Sequence, residues 1–416
     1  MKINVKDFGA VGDAVTLNTQ AIQNAINECH RQGGGQVILE DGVFKTGKII
    51  MRSNVELHIE SNATLLASGR VDDFPDSTDE EASHIDTSRL IRWRNNCIIF
   101  ANECENIAIT GTGKIDGNAD AFVRETPEHP FLTHRQLEAP IPARVVFFAG
   151  CKNVKVEDVF IVEPPAGWSY FIHDCDFVTF SRCKITSNLH YPNCDGIHVN
   201  CSRNVNISDC DIMTGDDCII VRANSASLAE NKVCEKVTVT NCNLTSYASG
   251  IRVAWINDGT IRNCTFSNIV MTDTSYAISI AIPSYITDEH DVGRENTCIE
   301  RLSFNNIVMD KISKFPVEIK IEEGDQTVDG IRNLYFSNIH ARAMNFPQIF
   351  GRKANHVENI YFSDCSFEVY DGADIPDLAT HGYGYVKPTD EKGIPSVKMH
   401  NTKNIVFNNT TFSEES

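Results

Sequence analysis

The 416-residue sequence predicts an all-β fold, a single-stranded right-handed parallel β-helix with an N-terminal capping helix, running through residues 1–416 as one domain. Three observations carry this. Short β-patterned runs opened by a polar residue and then Val, Ile or Leu recur along most of the chain: E-N-I-A-I at 105, K-N-V-K-V at 152, D-F-V-T-F at 176, R-N-V-N-I at 203, E-K-V-T-V at 235 and onward to K-N-I-V-F at 403. Counting from Val154, the anchors fall at 178, 205, 237 and 261, steps of 24, 27, 32 and 24 that describe one coil each. Finally, Asn, Asp, Gly and Ser turns separate the runs, and no long helical pattern intervenes.

Strands this short cannot pair within one repeat. Stacking the coils ~4.8 Å apart pairs each strand with its counterpart above and below. A β-sandwich with long loops is the competing arrangement. Cysteines reinforce the stacking: Cys151, Cys175 and Cys201 precede the anchor at one phase, while Cys183, Cys210, Cys242, Cys264 and Cys365 follow it at another. Such same-phase thiols read as small interior ladder residues. The 15 cysteines are an odd number without a C-x-x-C pair, which points to reduced, buried thiols rather than disulfides or zinc.

A solenoid must close its open ends. In the first 50 or so residues, N-T-Q-A-I-Q-N-A-I-N-E-C spaces Ile22, Ala25, Ile26 and Cys29 at helical intervals behind a candidate cap, Asn18. The far end has no equally clear helix. Four polar stretches break the coil pattern, near 69–95, 118–142, 283–298 and 368–396, and are expected to wall a binding groove.

A net charge of −19 without a basic stripe disfavours nucleic acid, and no apolar run approaches the ~20 residues of a membrane span. The opening M-K-I-N-V-K-D-F-G lacks secretory-signal features, so a native start would imply the cytoplasm, whereas a trimmed one would fit secretion or the periplasm. Oligomeric state is not legible. An acidic protein can still bind anionic sugars through a local cationic cluster.

The chemistry concentrates where the coils align best. N-C-D-G-I-H-V at 193, D-D-C-I-I-V-R at 216, A-S-G-I-R-V at 248 and Y-A-I-S-I at 276 superpose, turning Ile197, Ile219, Ile251 and Ile278 inward. Asp195 and Asp217, 22 residues apart, then share one stacked position, with Asp216 adjacent and Ser249 next in the stack. Carboxylates so gathered repel one another, which splits their protonation states as acid–base chemistry requires. For glycosides, one acid protonates the leaving oxygen while a base activates water; groups ~6.5–9.5 Å apart leave room for that water and invert the anomeric centre. A calcium site is the main competing use of three carboxylates.

These motifs resemble glycoside hydrolase family 28, the polygalacturonase and rhamnogalacturonan hydrolase family. The resemblance runs from V-K-D-F-G-A-V-G-D at 5 through G-T-G-K-I-D-G at 111 to about residue 340; N-C-D-G-I at 193 is similar to the family's N-T-D motif and T-G-D-D-C-I at 214 to its G-D-D motif. The resemblance implies a pectin-lyase-like solenoid and an inverting hydrolase without a cofactor or metal. In it Asp216 is the general acid, and Asp195 and Asp217 hold and deprotonate water. Two departures stand out. Polygalacturonases place a His before a Gly where this chain has Ser249-Gly250, and an R-I-K triplet that binds galacturonate where this chain has Ser279, Ile280 and Ala281. Each lost charge-assisted bond is worth ~1.5–3 kcal/mol, so a rhamnogalacturonan-type substrate is expected in preference to plain polygalacturonan.

Around the carboxylates, Arg252 and Arg222 are candidates either for binding a uronate or for balancing the acidic cluster. Asn193, His198, Ser249 and Gly250 are candidate substrate contacts, with Tyr191 and Trp255 as sugar-stacking aromatics. The glycine pattern at 111 mimics a nucleotide loop, but no helix pattern follows it. The leading expectation is an inverting hydrolase of pectin-like oligosaccharides, acting from chain ends in a pocket walled by the four loops. A polysaccharide lyase using Arg252 as base, or a non-catalytic glycan-binding β-helix, are the alternatives.

Overall fold

The computed structural model describes residues 1–90, 96–125, 134–136, 141–165, 167–284, 296–324, 326–370 and 397–414. Its strands stack in parallel, each pairing with its counterparts in the preceding and following coils, as in the series Lys152–Glu157, Asp176–Ser181, Arg203–Ser208 and Cys234–Ser246. Parallel crossovers of this kind are right-handed. The fold is thus the parallel β-helix that the repeats predict. Further along, turns vanish into continuous bent strands, Thr260–Ile282 and Thr297–Ile321, paired over nearly their whole length.

The turns have a chemical cause. A residue in the left-handed region precedes each interior anchor: Asn106, Asn153, Phe177, Asn204, Lys236, Asn263 and Arg301, all with φ between 50° and 57°. Asn tolerates this region better than most residues, and its amides bond from coil to coil, as from Asn306 to Asn268 at 2.8 Å. This turn also corrects the repeat. Val154, Val178, Val205 and Val237 do stack, but the next member is Cys264, not Ile261, because Thr238 pairs with Thr265. The last step is therefore 27, and the slip came from reading G-T-I instead of N-C as the turn and anchor.

All 15 cysteines are buried and unpaired as disulfides. Two leave their expected columns. Cys264 is the anchor just described, while Ser202 takes the interior place beside Cys175 and its neighbour Cys201 faces outward. Cys242 and Cys365 do share a column, through Ile269, Ile307 and Ile339.

Helix Thr19–Arg31 buries Ile22, Ala25, Ile26 and Cys29 against the first coils, as its spacing predicts. Asn18 stands at its N-cap without capping it; its side chain instead accepts from Val11 N at 2.7 Å and donates to the Val11 and Thr16 carbonyls. The final coil, Lys398–Glu414, is largely exposed. Of the expected loops, 91–95, 126–133, 137–140, 285–295 and 371–396 lie outside the described residues. What is described includes short 3-10 turns at Val71–Asp73, Thr87–Arg89 and Ala119–Ala121, and an antiparallel pair, Val123–Glu125 with His134–Gln136. Among the described residues no helix is long and apolar enough to cross a membrane.

Candidate active site

One outward column of the helix carries Arg144, Trp168, Asp195, Asp217, Ser249 and Tyr276 on successive coils. The register sets this: Arg144 pairs with Trp168, Tyr170 with Ile197, Ile197 with Ile219, Ile219 with Ile251, and Ser249 with Tyr276. Backbone bonds lock the rungs, from Gly196 N to the Asp217 carbonyl at 2.9 Å and from Cys218 N to the Ser249 carbonyl at 2.8 Å. Ile197, Ile219, Ile251 and Ile278 are fully buried beneath them. Asp195 and Asp217 therefore sit one rung apart, as the spacing of 22 predicts.

Glycines permit this close layering. A Cβ on Gly196 would lie 2.3 Å from the Cys218 carbonyl, and one on Gly215 would lie 2.3 Å from the Tyr191 carbonyl, so the loop at 188–191 rests directly on the turn that carries Asp216. The Asp216 carbonyl accepts from Thr214 Oγ1 and Ser246 Oγ, both at 2.7 Å, and its carboxylate accepts from Asp217 N at 3.0 Å. Asp216 is thus fixed through its backbone on both sides and is partly exposed.

Burial pushes the Asp217 carboxyl above its ordinary range. The nearby Arg252 charge, hydrogen bonds from Ser249 and the Arg222 charge work against that rise. Arg252→Met therefore removes the largest stabiliser of the charged form, and the acid limb of the kcat/KM–pH profile is expected to move to higher pH. A limb unchanged across a full pH series would refute the assignment of Asp217 to that limb.

Several expected substrate contacts turn out to be internal supports. His198 does face outward, but it is only 2% exposed, stacked on the Trp168 ring at 4.0 Å with its Nδ1 3.5 Å from Asp195. Arg222 is buried against Asp258, its Nε 2.7 and 2.9 Å from the two carboxylate oxygens. Ser249 is buried and serves Asp217. Gly250 faces packed interior, where a Cβ would meet Met271 Sδ at 2.8 Å. Tyr191 is buried, its hydroxyl donating to Asp120 at 3.0 Å. His198 and Arg222 keep their outward phase but are covered by Trp168 and Asp258, whereas Tyr191 packs into the core.

Arg252 and Trp255 remain at the partly exposed rim, with the guanidinium 4.5 Å over the indole. Asn193 also lies there, in a left-handed turn at φ 55°. Beyond Arg252 runs a chain of contacts that no motif announces: Arg252 Nη1 donates to Ser279 Oγ at 3.2 Å, Ser279 donates to Glu318 at 3.0 Å, and Gln348 donates to Glu318 at 2.5 Å. An acid thus stands one coil beyond Ser279.

On the other side of the aspartates the outer face is covered. Residues 82–90 and 225–228 bring Ala82, Ile85, Leu90 and Leu228 onto Phe100, Phe147, Trp168 and Phe171, forming a second apolar cluster outside the helix. Asp86 N to Ser227 O at 2.8 Å, His84 to Asp174 at 2.9 Å and His173 to Ser227 at 2.8 Å fasten it. Burial drives the His173 imidazole down to about 3, so its contact with Ser227 is a neutral one at ordinary pH. On the other side of the acids, Arg252 and Trp255 are partly exposed.

Comparison with known proteins is specific. Residues 84–236 match the model of glycosyl hydrolases family 28, and residues 2–136 match that of rhamnogalacturonase A/epimerase, pectate lyase-like proteins. A probable polygalacturonase of Arabidopsis thaliana is 24% identical over 353 residues, 77% of this chain and 70% of its own. An exo-poly-alpha-D-galacturonosidase of Dickeya chrysanthemi is 29% identical over 251 residues, 52% of this chain but 41% of its own. In structure, the exopolygalacturonase of Thermotoga maritima superposes with a TM-score of 0.69 at 22% identity, covering 89% of this chain and 87% of that one. Over residues 84–236, the stretch that carries all three aspartates, the chain is similar to glycosyl hydrolases family 28.

Proposed function

We propose that the protein is an inverting glycoside hydrolase that removes sugars from the ends of pectin-type oligosaccharides. The observation that carries this reading is the position of the three aspartates: they lie between the apolar cover on Trp168 and Phe171 and the partly exposed Arg252 and Trp255. A glycan end fits against the cover, and the rest of the chain leaves over Arg252 and Trp255. Asp216, partly exposed at the turn, donates the proton to the leaving oxygen. Asp195 and Asp217, stacked one rung apart, hold and deprotonate the water.

The sugar on the Arg252 side is neutral in this reading. Arg252 spends its donors on Ser279 and on the Ala254 and Ala281 carbonyls, and Glu318 stands close by, so a uronate there meets a like charge. A rhamnogalacturonan-type chain, alternating acidic and neutral sugars, suits this better than plain polygalacturonan.

Digestion of defined polygalacturonan and rhamnogalacturonan oligosaccharides tests the proposal. Release of terminal sugar from the first time point, with the inverted anomer seen first by NMR, is expected. A ladder of mid-sized products would refute chain-end action, and an unsaturated, ultraviolet-absorbing product would refute hydrolysis.

A further inference from the structure

Asp195 is backed by a stack that the reaction as described does not use. Arg144 begins strand Arg144–Ala149, every residue of which is buried, and is itself 1% exposed. A cation at such a depth is unusual. Its guanidinium lies 4.6 Å from the centre of the Trp168 ring, 4.8 Å from that of Phe171 and 5.4 Å from that of Phe147. Trp168 in turn stacks on His198 at 4.0 Å and 29°, and His198 Nδ1 lies 3.5 Å from Asp195 Oδ2. Guanidinium, indole and imidazole are thus layered plane on plane, and the last layer meets the carboxylate.

The charges in this stack point one way. Burial brings the Arg144 guanidinium down to about 10, which leaves it cationic at neutral pH, and the Asp195 charge is among the groups that hold it up. Burial and the neighbouring Arg222, Arg144 and His173 push the His198 imidazole well below its ordinary value, so it is neutral. A neutral imidazole packed beside the carboxylate adds no net charge, and the cation behind it acts through space over low-dielectric rings. Asp195 therefore faces Arg144 from the coil two rungs back, His198 from its own strand, and Asp217 with Asp216 from the next rung. Two of these repel it, one attracts it and one packs beside it.

We propose that Arg144 is a positioning residue for the hydrolysis set out above: through the Trp168–His198 stack it fixes the orientation of Asp195 and favours its ionised form against the neighbouring aspartates. It touches neither substrate nor water, since it is covered on all sides. The inference rests on Asp195 acting as a base in the proposed function, but the stack can be tested apart from turnover.

The test combines kinetics with a direct titration. Carboxyl carbons of 13C-labelled aspartate are followed by NMR in wild type, Arg144→Met and Arg144→Lys, with the Asp195 signal assigned by its loss in Asp195→Asn; kcat and KM are measured against pH on a cleaved oligosaccharide. Arg144→Met is expected to move the Asp195 titration and the acid limb of kcat/KM to higher pH, and to lower kcat roughly tenfold or more with KM within about twofold. Arg144→Lys, keeping charge but not the planar stack, is expected to restore the titration and only part of the rate. An Arg144→Met protein with native circular dichroism but an unmoved Asp195 titration overturns the proposal, as does a rise in KM at constant kcat. Should Arg144→Met fail to fold, Trp168→Leu serves instead: it breaks the stack with all charges in place, and a wild-type titration and rate in that variant overturn the idea. If wild type cleaves no glycan, the proposed function has failed while the NMR titration still judges the stack.

Discussion

Asp216→Asn is expected to reduce kcat on natural oligosaccharides by roughly 10²–10⁴-fold, the usual cost of losing a general acid. The substitution is close to isosteric, and the amide oxygen can still accept from Asp217 N, the bond that the carboxylate makes at 3.0 Å. Its backbone anchors to Thr214 and Ser246 do not involve the side chain at all. The thermal midpoint should therefore stay within a few degrees of wild type. An asparagine cannot protonate a leaving alkoxide. A substrate with an acidic phenol as leaving group needs no such proton, so the loss should shrink sharply on an aryl glycoside. Asp195→Asn and Asp217→Asn, which would remove water activation, should be impaired on both substrates alike. If Asp216→Asn loses as much on the aryl glycoside as on the natural substrate, Asp216 is not the acid.

That prediction was framed by residues legible in the sequence, and the reason is the repeat. A coil fold converts sequence spacing into stacking, so aligning Ile197, Ile219 and Ile251 was enough to place Asp195, Asp217 and Ser249 in one column. The method failed where phase and exposure part company. His198 and Arg222 point outward as their phase requires, yet the Trp168 ring and the Asp258 carboxylate bury them, and Tyr191 is drawn into the core. Nothing in a periodic reading says which outward faces a distant loop will cover. Arg144 was missed for a related reason: A-R-V-V-F-F reads as a strand opened by a charged residue, the pattern of a solvent-facing start. A sharper reading would have noticed that Arg144, Trp168 and Asp195 each stand three residues before an outward position, at Phe147, Phe171 and His198. Glu318 left a fainter trace, since its place beyond Ser279 depends on a 39-residue return between Tyr276 and Phe315 whose length no neighbouring coil predicts.

The largest effect on stability should come from Arg222→Met. Asp258 is wholly buried and Arg222 is 5% exposed, and the pair is joined by Nε contacts of 2.7 and 2.9 Å. Breaking such a pair from one side strands a buried charge, at a cost of roughly 3–5 kcal/mol. The pH dependence follows from Asp258. Burial raises its carboxyl above the ordinary value, and Arg222 is the main force holding it down, so losing Arg222 raises it further. A carboxyl raised in the folded state contributes stability below its unfolded value and loses it as pH climbs through the folded one. The gap between Arg222→Met and wild type should therefore be wide at neutral pH and narrow on acidification, when Asp258 can take a proton. Urea denaturation at a series of pH values measures this; a gap that is constant or grows towards acid would refute it. The double variant Arg222→Met/Asp258→Leu should recover much of the loss, because no buried charge remains. Activity should not recover with it. Asp258 also accepts from Trp255 N at 3.0 Å, which holds the indole beneath Arg252, and the Arg222 charge bears on Asp217. A pair that looks purely structural thus anchors both the base and the partly exposed rim, and the double variant separates the two roles: stability returns while the acid limb stays shifted.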